Sequence, residues 1–102
     1  MSLGAQSVQS SHSSIQFQHV FPEISKKWFY ESNYLVHLSI ENLCELLKLI
    51  QKLEQSNIKF TAFIEPDMGG EITSICIEPS EKTRKITSSL PLLFKKEKIK
   101  SI

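Results

Sequence analysis

The spacing of apolar positions changes several times along the chain, and each spacing predicts an element. In residues 4–20, Val8, Ser11, His12, Ile15 and His19 recur at three, four and seven, as on one face of a helix. That face is weakly apolar and rich in small residues. It reads as a surface for close approach to a sheet or a ligand, or else as a poor helix. Pro22 marks a break after it. Residues 26–32 predict a short aromatic helical turn, and Tyr34-Leu35-Val36-His37-Leu38 a compact β run. Ser39 is the expected N-cap of the clearest helix, with Leu43, Leu46, Leu47, Ile50 and Leu53 on one stripe. Ser56-Asn57 ends it, because Asn tolerates the left-handed conformation. Residues 58–64 alternate, with Ile58, Phe60, Ala62 and Ile64 on one face and Phe63 on the other, so both sides of this strand are expected to be covered. Glu65 to Gly70 is a loop by its Pro, Asp and Gly content, and residues 71–77 form the next strand. Ser80 caps a last helix, with Glu81 in its first turn, running through Ile86 towards Leu90. Helix, strand, helix, strand, strand, helix predicts a single α/β layered domain.

The length of 102 residues fits one domain, drawn here as 1–94 with a basic tail at 95–102. An apolar share of 40% and a charged share of 23% are those of a soluble globular chain, and no apolar run approaches the ~20 residues of a membrane span. The start, Met1 to Gln6, lacks the features of a secretion signal. A net charge of +1 does not by itself point to nucleic acid. The tail containing Lys95, Lys96, Lys98 and Lys100 is locally basic, and is either a solvated end or a contact for phosphates. Cys44 and Cys76 are too few for a disulfide framework and read as buried, reduced thiols in a cytoplasmic protein.

Candidate chemistry is sparse. His12 and His19 are two helical turns apart, and no metal-ligand spacing occurs, so no metal site is expected. Ser11 and Ser13 flank His12, but adjacent helical residues point apart. No phosphate-cradling loop or dinucleotide fingerprint is present, so no cofactor is expected. Glu65, Asp67 and Glu71 gather around the loop between the two strands, where acids either act as base and water-orienting groups or cap the turn and stay solvated. Trp28-Phe29-Tyr30 is a core plug, a dimer interface or a base-stacking platform.

The stretch Gly4-Ala5-Gln6-Ser7-Val8-Gln9-Ser10-Ser11-His12-Ser13-Ser14 resembles the Gly-Lys-x-x-Ala-Gln-x-x-His-Ala-Ala motif of type II peptidyl-tRNA hydrolases, and Thr73-Ser74-Ile75-Cys76-Ile77-Glu78-Pro79 is similar to that family's Thr-Val-x-Ala-Ile-Gly-Pro strand end. The likeness runs over about residues 4 to 93, with matching elements between the motifs. It implies a three-layer α/β domain with a four-stranded mixed sheet, or three strands in this chain, flanked by helices. Gly4, Gln9 and His12 match the motif. Ala5 stands at the family's active-site Lys, and Glu65 at its Asp. The family's active-site Thr has no clear counterpart, and Thr73 aligns with a later position of structural character. The family also places an interior strand before its Gly-Lys turn, where only Met1-Ser2-Leu3 stand here. Truncation, a strand supplied by a neighbouring chain, or a different core would each account for that. Unpaired interior backbone groups cost about 1–3 kcal/mol each, so a homodimer or a rearrangement is expected.

The resemblance implies hydrolysis of the ester joining a peptide to tRNA. In that role His12, Glu65 and Asp67 are the catalytic candidates, and Gly4, Gln9, Lys26, Lys27, Lys95 and Lys96 the substrate contacts. The alternatives are a non-catalytic tRNA- or protein-binding module on the same fold, lacking the Lys and Thr, or hydrolysis of a different ester or amide through Glu65 and His12.

Overall fold

The computed structural model describes residues 2–66 and 69–93. Helices α1 (Leu3–Val20), α2 (Pro22–Glu31) and α3 (Leu43–Gln55) precede strands β1 (Phe60–Glu65) and β2 (Glu71–Ile77), and helix α4 (Glu81–Ile86) follows. The sheet is antiparallel and, among the described residues, has these two strands.

The alternation in β1 sorts the layers. Phe60, with Ile75 and Ile77 of β2, packs against Leu49 and Leu53 of α3 and against Ile58. Ile86 and Leu90 close the same cluster. Thr61 and Phe63 point the other way, towards α1, where Thr61 Oγ1 donates to the Ser13 carbonyl. Helix, sheet and helix thus form three layers, and Phe63 is covered as its position predicts.

α1 turns an unexpected side inward. Val8, Ser11, His12, Ile15 and His19, the face its spacing singles out, are all exposed. Ser13 and Phe17 are buried instead. The inward side mixes Phe17 with small polar residues, and there the strands offer hydroxyl donors to the helix backbone. Ser74 Oγ donates to the Gln9 carbonyl at 2.6 Å, an approach that small side chains on α1 permit.

Several boundaries also move. Pro22 begins α2 as its first residue, where its missing N–H costs nothing, so the short aromatic turn becomes a ten-residue helix. Tyr34–Leu38 is not a strand. Leu38 makes one isolated bridge to Leu92, and Tyr34, Leu35 and Val36 are exposed. The four-stranded arrangement therefore reduces to a two-stranded sheet. Asn42, not Ser39, caps α3, its side chain accepting from the Glu45 N–H at 2.9 Å. Ser39 instead donates its N–H to the Pro91 carbonyl. The α3 stripe is rotated, with Leu49 buried and Leu43 and Leu47 exposed. Asn57 adopts a positive φ of 56° after the helix, as expected. Ser80 caps α4, which ends at Ile86 short of Leu90. Cys44 is exposed and Cys76 half-buried, so the two thiols are not both core residues.

Candidate active site at the α1–sheet junction

β1 and β2 pair in one register from Phe60↔Ile77 to Phe63↔Ser74, then shift to Ile64↔Ile72. The shift leaves Thr73 without an opposite residue, a β-bulge on β2. Adjacent strand residues normally face opposite sides, and a bulge re-aims one of them. Here Thr73 and Ser74 both reach the same residue of α1. Thr73 Oγ1 donates to Gln9 Oε1 at 3.0 Å, and Ser74 Oγ donates to the Gln9 carbonyl.

Gln9 passes the contact on. Its amide is oriented by Thr73, because an oxygen that accepts from Thr73 turns the NH2 group outward. Nε2 then donates to Glu65 Oε2 at 3.2 Å. Glu65 ends β1, half-buried, and Glu71 lies directly opposite it across the strands. Gly69 and Gly70 follow with φ of 73° and 78°, and the Gly70 N–H donates to the Glu65 carbonyl at 3.2 Å, closing the turn that holds Glu65 in place.

His12 lies one helical turn beyond Gln9. Its ring packs edge-on against Phe63, with centroids 4.8 Å apart. Phe63 and Glu65 project from the same face of β1, two residues apart, or about 7 Å along the strand. His12 and Glu65 therefore share one side of the sheet. Ala5, one turn before Gln9, continues the row towards the strand end that carries Glu65. α1 runs against β1: Ser13 meets Thr61, and Gln9 meets Glu65. Position 5, an Ala, thus belongs to the Glu65 end of the row.

Gly4 sits in the first turn of α1, where Ser2 Oγ accepts from the Ala5 N–H at 3.1 Å. A Cβ at position 4 would meet only Ser2 Oγ at 4.0 Å, so no close approach demands glycine there. Lys26 and Lys27 are exposed on α2, away from Gln9 and Glu65 in sequence and element. Asp67, Lys95 and Lys96 lie outside the described residues. Among the described residues no cluster of three or more His, Cys, Asp or Glu could hold a metal. On the same side of the sheet, burial pushes the Cys76 thiol up, and a side-chain hydrogen bond with Ser14 works against that shift.

Thr73 is the residue whose place in this junction the sequence did not reveal, its position reading as structural. Its signal was the Thr-Ser pair at the start of β2, but a regular strand would have pointed Thr73 away from α1, and a bulge leaves no mark in a single sequence.

The sequence profile of the peptidyl-tRNA hydrolase PTH2 family matches residues 1–93. No curated protein matches the chain. With the matched span covering residues 1–93 of 102, the chain belongs to the peptidyl-tRNA hydrolase PTH2 family.

Proposed function

We propose that the chain hydrolyses the ester between a peptide and tRNA, with Glu65 as the group that orients and deprotonates water. The observation that carries this reading is the Thr73–Gln9–Glu65 chain of hydrogen bonds, which fixes a carboxylate at a strand end beside the first turns of a helix. Water adds to the ester carbonyl carbon and its proton passes to Glu65. The tetrahedral intermediate breaks its bond to the ribose oxygen, which takes that proton from Glu65 and leaves as the hydroxyl. In the first turn of α1 the Ala5 N–H is taken by Ser2 Oγ, and the Gly4 N–H beside it is the proposed donor to the developing oxyanion. His12, exposed above Phe63, stands at the mouth of the site, and Asp67 is proposed to work beside Glu65. Lys26, Lys27, Lys95 and Lys96 are proposed contacts for the tRNA backbone, and the cytoplasm is the proposed setting. No described helix is long and apolar enough to cross a membrane.

One observation favours a second reading, a non-catalytic tRNA- or protein-binding module. Ala5 occupies the row next to Gln9 where a cation would stabilise the transition state, a contribution of ~3–4 kcal/mol for one well-placed group. Hydrolysis of N-acetyl-aminoacyl-tRNA by the natural chain and by Ala5→Lys separates the two. Slow turnover that rises with Ala5→Lys supports the hydrolase. Salt-sensitive tRNA binding with no turnover in either protein supports the module.

A further inference from the structure

We propose that the groove formed by α2 and the end of α1 binds a short single-stranded nucleic-acid segment, with bases stacked on Phe29 and Tyr30 and a phosphate on Lys26. The groove is an open cleft of about 550 Å³, and its walls include Gln18, Lys26, Trp28, Phe29, Tyr30 and Asn33. α2 buries none of its residues, so its aromatic side chains are not a core plug. Phe29 is 58% exposed and Tyr30 75% exposed. Their rings stand edge to face, with centroids 5.3 Å apart, and present two ring surfaces at right angles. Trp28 is held as a wall, its indole N–H donating to the Tyr34 carbonyl at 2.6 Å.

The charge of the groove selects the occupant. Its lining carries one cation, Lys26, two amides and no acid. Glu31 and Glu78 line a different cleft, on the other side of Trp28. Exposed aromatic rings beside a cation, with amides able to donate and accept, suit a base-and-phosphate ligand. A second copy suits it less. A two-fold interface centred on this groove would bring two Lys26 side chains into one patch with no acid in the lining to offset them. Gln18 is nine residues beyond Gln9, about 14 Å along α1 and half a turn around it. The groove is therefore separate from the Gln9–Glu65 junction, and the proposal does not depend on hydrolysis there.

The chain has one Trp, and Trp28 lines this groove and the cleft behind it, so the Tyr30 and Lys26 variants assign any quenching to the groove. The probe is fluorescein-labelled decaadenylate, followed by anisotropy and by Trp28 quenching at roughly 50 and 200 mM salt. Saturable binding is expected, with Trp28 quenched and affinity falling as salt rises. Tyr30→Ala and Lys26→Glu should each weaken binding at least about fivefold, while Tyr30→Phe retains it. Both positions are exposed, and unchanged thermal melts will show that the variants fold. His12→Ala and Glu65→Gln should bind the probe as the natural chain does. If they do and the natural chain cleaves no ester, the proposed hydrolysis fails and the groove stands. Four results would overturn the groove: no binding at micromolar protein in low salt, unchanged binding in Tyr30→Ala, binding lost only with Lys26→Glu, or a dimer that Tyr30→Ala converts to monomer.

Discussion

At the scale of single residues, the candidate site depends on one residue used three ways. Gln9 accepts from Thr73, donates to Glu65 and gives its carbonyl to Ser74. Thr73→Val keeps the shape of the bulge residue and removes the hydroxyl, so the Gln9 amide loses its orientation. Since one hydrogen bond contributes about 0.5–1.5 kcal/mol, ester hydrolysis should fall roughly two- to tenfold, mainly in kcat, and Thr73→Ser should restore it. The cysteines give a second test. Cys44 is exposed, whereas burial raises the Cys76 thiol above its ordinary value of 9.0. Iodoacetamide at neutral pH should modify Cys44 first and leave Cys76 until the chain unfolds. The folded chain keeps the Cys76 proton where the unfolded chain has lost it. The resulting stability is present below pH 9.0 and is lost as pH rises beyond that. Urea melts from pH 8 to 10 should show this loss reduced in Cys76→Ala.

Among the elements, those whose evidence is local were legible in the sequence. The Ser80 cap, the Asn57 stop, the alternation of β1 and the glycine turn each depend on neighbours a few residues away. α1 was found, but its inward face was misread. Apolar periodicity chose Val8 and Ile15, whereas the sheet selected Gln9 and Ser13 by hydrogen bonding. Tyr34–Leu38 has strand composition but lacks the paired neighbours that make a strand, which no local pattern records. The Thr73 bulge, on which the site turns, is a property of two strands together. The α3 boundary offers a direct check. Asn42→Ala removes the capping oxygen and should destabilise the fold by about 1 kcal/mol, whereas Ser39→Ala should leave the α3 start intact. Chemical denaturation of the two variants, with helix content followed by circular dichroism, would distinguish them.

For the molecule as a whole, a two-stranded sheet leaves β2 without a further strand beside it among the described residues, and several apolar side chains without cover. Unpaired strand edges and exposed Leu35 and Val36 are features that association conceals. We therefore propose a homodimer using the Tyr34–Val36 segment. Light scattering after size exclusion should give twice the chain mass of 11.7 kDa, and Leu35→Lys should return it to one. Membership of the PTH2 family gives the chain its scaffold. In the reaction we propose, a cation at position 5 would assist, and Ala5 supplies none, so Glu65 is the residue at which activity is best tested. The most direct measurement is the release of free tRNA from N-acetyl-aminoacyl-tRNA by the natural chain and by Glu65→Gln, which keeps the Gln9 contact but removes the base. Slow turnover in the natural chain, lowered at least about a hundredfold by the substitution, is the predicted result. Turnover that Glu65→Gln leaves unchanged, or no turnover by the natural chain, would contradict it.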